Sequence, residues 1–200
     1  MHYKHWQLDK DDDGILWLIF NREGVAVNSL SHDVFAEFDT ILETLIKDPP
    51  CGMAILSGKA TGFIAGADIT QFTSLKTEEE AFELIRQGQL ILNQLAELPF
   101  PTVACIHGFC LGGGTELALA CRYRIATDDP STQIGLPEVK LGIHPGWGGT
   151  VRLPKLMGAF KAMNIMLTGA SFSGRDMKRM GAVDECVPFR ELKRAARYLL

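Results

Sequence analysis

The chain has 200 residues, 46% hydrophobic and 22% charged, a balance that suits a soluble globular protein with a substantial core and excludes a fibrous or disordered one. A formal net charge of −4 and a pI near 5.7 exclude a general nucleic-acid binder, although a few local Lys or Arg residues would suffice to meet a polyanionic small molecule. Five cysteines, odd in number and without a C-x-x-C pair, argue against a zinc site or disulfide framework and for a reducing, cytoplasmic compartment.

The segment up to Gly14 is polar and acidic, unlike a secretory signal or an Arg-rich transit peptide. Ile15 to Phe20 (ILWLIF) predicts a buried strand that ends in the turn Asn21-Arg22-Glu23-Gly24. Behind a Ser31 N-cap, Val34, Phe35, Phe38, Ile41, Leu42 and Leu45 recur at helical spacing, so Ser31 to Ile46 predicts a helix, stopped by Pro49-Pro50. Met53 to Leu56 reads as a short strand and Ser57 to Asp68 as a glycine-rich segment. Lys76 to Glu97 predicts a second helix with Ala81, Leu84, Ile85, Ile91, Leu92 and Leu95 on its apolar face, closed by Pro99 and Pro101.

Pro101 to Cys121 organises the rest. Its only certain charge is Glu116. Thr102 to Ile106 has the character of a buried strand and Thr115 to Cys121 that of a buried helix, with Gly112, Gly113 and Gly114 between them. Glycines at a strand-to-helix junction leave backbone N–H groups uncovered at the positive end of a helix dipole, which makes an anion site. The glycines, Pro101 and Glu116 argue against a membrane span.

Arg124 to Ala126 then predicts a strand, Thr127 to Thr132 a loop, Pro154 to Thr168 a helix, Ser173 to Met180 a shorter helix and Ala182 to Val187 a strand. Glu191 to Leu200 reads as an amphipathic helix that continues to the last residue, as expected of a piece of a longer chain. Strands alternate with helices throughout, which predicts an α/β fold with mostly parallel pairing.

Three phosphate and acyl-transfer patterns are absent: G-x-x-x-x-G-K-[ST], a G-x-G-x-x-G after a strand, and G-x-S-x-G. What remains is IAGAD at Ile64 to Asp68, LGGGTE at Leu111 to Glu116, and a second carboxylate, Glu138. Together with GFCLGGGTELAL, GLPEVKLGIHPGWGGT and GAVDECVP, in this order and spacing, these stretches resemble the crotonase (enoyl-CoA hydratase/isomerase) superfamily over roughly Gly14 to Pro188. The TDDPST insertion before GLPE is most similar to the hydratase region of multifunctional fatty-acid oxidation α-subunits.

The resemblance implies a ββα spiral and one hydratase domain over residues 1–200, within a longer chain that would continue into an NAD-dependent dehydrogenase part. Hydration itself would need no cofactor. The Ala67 and Gly113 amides would form an oxyanion hole for an acyl-CoA thioester, and Glu116 and Glu138 would hold one water between them. Ala65, Gly66, Asp68, Gly112, Pro137 and Gly146 would meet the substrate. A homotrimer or a complex with a thiolase subunit would be the assembly.

Other readings of these residues stay open. Asp68 also reads as a helix N-cap before Ile69-Thr70, and Glu138 could pair with Lys140. Gly146, Gly148 and Gly149 shape either an acyl pocket or a turn, and Trp147 stands where the family suggests a smaller residue. His107 and His144 lack metal-ligand spacing and read as structural, which leaves no metal site. Arg22, Lys59 and Lys140 are candidates for CoA phosphates. The rival functions are an enoyl-CoA isomerase, which needs one carboxylate, and a non-catalytic acyl-CoA-binding module.

Overall fold

The computed structural model describes residues 2–200, with the backbone alone for residues 72–74. The hydrophobic run that predicts the first strand forms β2 (Ile15–Phe20), which pairs in parallel with β3 (Gly52–Ser57) from Ile15 opposite Gly52 to Phe20 opposite Ser57. An unforeseen strand, β1 (Trp6–Lys10), runs antiparallel along the free side of β2. Only Trp6 of its residues is buried, so it carries no hydrophobic period, and its charged side chains suit a sheet edge.

Between β2 and β3 lies α1 (His32–Lys47), capped by Ser31, whose hydroxyl accepts from the Val34 N–H. The six predicted apolar positions of α1 are all buried, each contributing about 1.5–3 kcal/mol relative to exposure.

Then follow β4 (Gly62–Ile64), α2 (Glu78–Ala96), β5 (Thr102–Ile106), β6 (Phe109–Leu111), α3 (Gly113–Ala120), β7 (Tyr123–Thr127), β8 (Gln133–Gly135) and α4 (Gly149–Met157). The chain ends with α5 (Ala159–Thr168), β9 (Ser171–Phe172), α6 (Gly174–Met180), β10 (Glu185–Val187) and α7 (Leu192–Leu199). Among the described residues six strands form a large sheet in the order β1-β2-β3-β5-β7-β10, and four form a small one in the order β4-β6-β8-β9. Three times the chain places one strand in the large sheet, the next in the small sheet, and then a helix: β3-β4-α2, β5-β6-α3 and β7-β8-α4. This is the ββα spiral that the resemblance implies.

The strands of the small sheet have two or three residues, too few for a periodic signal. The predicted helix from 154 to 168 is two helices. Gly158, at φ +85°, breaks the run, and α4 starts earlier than predicted, with Pro154 inside it. The apolar face of α2 also divides. Ile91, Leu92 and Leu95 are buried in the core, whereas Ala81, Leu84 and Ile85 are more accessible because they border a cavity.

Both faces of the large sheet are covered. On one side Leu16, Leu18, Phe20, Met53 and Ile55 join α1, α2 and α3 in the main core. On the other, Ile15, Trp17, Ala54, Val103, Cys105 and Ile125 pack against Leu192 and Ala196 of α7.

Candidate functional site

The spiral brings the three glycine-rich segments to one cavity of about 510 Å3. Ala65, Gly66 and Ala67 reach it from the loop after β4, Gly112, Gly113 and Glu116 from the β6–α3 junction, and Pro137, Glu138 and Gly146 from the segments after β8. Leu75, Ala81, Leu84, Ile85, Leu141 and Ile143 give it an apolar wall.

Two amides without a partner in the bridge or helix beside them border this space. Gly66, at φ +110°, and Gly112, at φ +52°, adopt conformations that a side chain would oppose. Leu30 forms a parallel bridge to Ala67, donating to the Gly66 carbonyl at 2.9 Å and accepting from the Asp68 N–H at 2.8 Å. A parallel bridge uses the groups that flank the central residue, so the Ala67 N–H points away from Leu30. Gly113 opens α3, and its N–H is one of the four without a helical acceptor. The two amides are neighbours: a Cβ on Gly113 would lie 3.5 Å from the Ala67 nitrogen. That Cβ would also overlap the Trp147 indole, so only glycine allows this packing.

Glu116 is 2% exposed, and its Oε1 accepts from the N–H groups of Trp147 and Gly149, both at 2.8 Å. Burial pushes its carboxyl up to about 7, and the Glu138 charge adds to the rise. The Gly149 and Trp147 amides and the Arg152 cation oppose it. Glu138 opens a 3-10 turn (Glu138–Leu141) with its carboxyl facing Gly112, where a Cβ would lie 3.1 Å from Oε1. Its Oε2 is buried and has no hydrogen-bond partner among the described residues. Burial raises this carboxyl too, against smaller opposing effects of its own backbone N–H and of His144. Among the described residues no ion pair joins Glu138 to Lys140, whose side chain lies against Gly169.

Asp68 stands apart from the cavity wall. Its Oδ1 accepts from the Thr70 N–H (3.2 Å) and hydroxyl (2.6 Å), the capping role read from its position, while Oδ2 meets Arg22 at 2.6 Å. Arg22 is thereby ion-paired within the protein. His144 lies on the cavity wall beside Glu138, while the His107 Nε2 is bonded to the Lys59 carbonyl. No cluster of three or more His, Cys, Asp or Glu residues among the described ones is placed to hold a metal ion.

The Trp147 and Gly149 amides that hold Glu116 escape a reading by side chains, because the groups that matter are backbone. The closely spaced glycines of HPGWGGT are their only signal, and at φ +108° Gly148 makes the turn that aims both amides inward.

Two neighbouring backbone amides beside two buried carboxylates are groups able to polarise a carbonyl and move protons beside it. The family model for enoyl-CoA hydratase/isomerase matches residues 10–200. The chain belongs to this family. It is 44% identical over 197 residues to the fatty acid oxidation complex subunit alpha of Vibrio cholerae (strain O395), covering 98% of this chain and 28% of that protein. It is 44% identical over 186 residues to the subunit of the same name from Shewanella sp. W3-18-1, covering 92% of this chain and 26% of that one. It thus spans about a quarter of the length of the curated relatives it matches. Among solved structures, it is similar to an enoyl-CoA hydratase from Bacillus anthracis, with 32% identity and a TM-score of 0.88 over 97% of this chain and 74% of that one. An enoyl-CoA hydratase from Geobacillus kaustophilus HTA426 superposes with a TM-score of 0.91 at 29% identity, over 99% and 74%.

Proposed function

We propose that residues 1–200 act as an enoyl-CoA hydratase domain that adds water to trans-2-enoyl-CoA thioesters in fatty-acid β-oxidation. The observation that carries this reading is the pair of buried carboxylates, Glu116 and Glu138, on one cavity wall with the neighbouring amides of Ala67 and Gly113. The names of the family and of its relatives support it.

The thioester oxygen accepts from the Ala67 and Gly113 N–H groups. Each such donor is worth about 3–4 kcal/mol as the oxygen gains charge. Polarisation makes C3 electrophilic. Glu116, whose Oε1 accepts from two backbone N–H groups and whose carboxyl is poised near neutrality, takes the base role. It removes a proton from water as the oxygen bonds to C3, and the C2=C3 electron pair moves into the enolate. Glu138, whose burial favours the protonated form, is the acid that gives its proton to C2. The sum is addition of H and OH, with the proton of the pair exchanged from one carboxylate to the other.

The scheme calls on no cofactor, and NAD would serve only a dehydrogenase part outside these residues. A homotrimer or a complex with a thiolase subunit is the proposed assembly, and a cytoplasmic setting is the proposed location, supported by an odd number of cysteines without a C-x-x-C pair. Among the described residues no helix is long and apolar enough to cross a membrane.

The test is loss of the conjugated-thioester absorbance of crotonyl-CoA. The parent is expected to turn over, and Glu116→Gln and Glu138→Gln each to lose about 100-fold or more in kcat. Binding without turnover would favour an acyl-CoA-binding module. Conversion of a 3-enoyl-CoA without hydration would favour an isomerase.

A further inference from the structure

The two peptide groups that donate to Glu116 are each gripped from behind. The Trp147 N–H belongs to the peptide whose carbonyl is that of Gly146, and this oxygen accepts from Gln89 Nε2 of α2 at 2.7 Å. The Gly149 N–H belongs to the peptide whose carbonyl is that of Gly148, and this oxygen accepts from the Arg152 N–H at 2.8 Å. The Arg152 guanidinium takes the remaining carbonyl of the turn, Trp147 O, at 2.9 Å. Its other arm is anchored on Asn93 Oδ1 at 2.6 Å and Leu92 O at 3.3 Å, both in α2.

We propose that Gln89 and Arg152 are positioning residues that clamp the 146–149 turn between α2 and α4 and so set the ionisation of Glu116. Donors behind a peptide carbonyl polarise its N–H, and chains of such bonds reinforce one another in a dry interior. Both chains end on the same Oε1, but the second starts from the main-chain N–H of Arg152, so the side chain of Arg152 acts through its hold on Trp147 O and through its charge. Arg152 also brings a positive charge to the far side of the turn. The charges that act on Glu116 are Glu138, from the 3-10 turn, which favours its neutral form, and Arg152, from α4, which favours its charged form. His144 acts on Glu138. Gln89 is neutral, so its effect passes through the Gly146–Trp147 peptide alone.

The kinetic readout rests on the hydratase reading, but the ionisation readout does not. The experiment follows the Glu116 side-chain carboxyl by 13C NMR across pH in the parent, Gln89→Leu, Arg152→Met and Arg152→Lys, and measures pH–rate profiles with crotonyl-CoA on the same proteins. Arg152→Met is expected to move the Glu116 titration and the acid limb of the profile up by about half a pH unit or more. Gln89→Leu is expected to move both in the same direction by less, and Arg152→Lys, which keeps the charge, less than Arg152→Met. Partial unfolding lowers the amplitude of either curve without moving its midpoint. Unchanged midpoints in both Gln89→Leu and Arg152→Met, even with lower activity, would overturn the inference. If the parent does not turn over, the hydratase reading fails and the carboxyl titration alone decides the clamp.

Discussion

Glu116 shows how much a single residue can declare. A carboxylate alone in an apolar helix is legible in the sequence, because its burial needs a reason. Its partners are not legible, because they are amides whose direction depends on φ and ψ. Glu138 is legible only through the resemblance, since Pro-Glu in a loop is commonplace and its burial comes from the packing of a 3-10 turn. The raised value of Glu116 has a consequence for stability. Its carboxyl titrates at about 7 in the folded chain against an ordinary 4.5, so folding favours the protonated form. That contribution is fully present below about pH 4.5 and is lost as pH rises through about 7. Glu116→Gln lacks this dependence. Urea unfolding is expected to show its stability relative to the parent improving by roughly 3 kcal/mol from acid to mildly alkaline pH. A constant difference across that range would place the titration elsewhere.

At the scale of elements, α3 is held in contact with its neighbours by missing side chains. A Cβ on Gly114 would overlap the Ile64 carbonyl of β4, and one on Gly113 or on Gly88 of α2 would overlap the Trp147 indole. Trp147 fills the notch that the last two leave, with Phe35 edge-on to it at 4.9 Å. This answers the unexpected size of the side chain at position 147: the ring is seated between α2 and α3. Gly113→Ala is expected to cost about 1–3 kcal/mol by overpacking. In a Trp147→Leu background it should cost less, and a double-mutant cycle of denaturation midpoints measures the difference. Additive losses would show that the ring and the glycine do not constrain each other. The long helices α1 and α2 are readable from periodicity and caps, with Thr77 accepting from the Glu80 N–H in α2 as Ser31 does in α1. The break at Gly158 is harder to read, because a helical pattern continues on both sides of it.

At the scale of the whole molecule, the alternation of strands and helices conveys the α/β class, whereas the division into two sheets becomes visible only when β4, β6 and β8 meet. The second core depends on α7, where Lys193 and Arg197 also lie over the Trp17 ring and Arg197 pairs with Asp11 and Asp13. The Arg197–Asp13 pair is exposed and the Arg197–Asp11 pair partly so, and such pairs are worth little, so the apolar contact dominates. Leu192→Ala is expected to lower stability by about 2–5 kcal/mol with an unchanged dependence on urea; a smaller loss would mean that α7 is not integral to the fold. The spiral also divides labour among its turns. In the proposed scheme the first turn supplies Ala67, the second Gly113 and Glu116, and the third Glu138 with the loop that holds Glu116. Activation of the substrate and delivery of the last proton therefore sit on different turns, and the two can fail, or change over generations of the sequence, one at a time. A chain altered only in its third turn at Glu138 would keep a working electrophile and a base without a matched acid, and such a remnant is a starting point for other enolate chemistries.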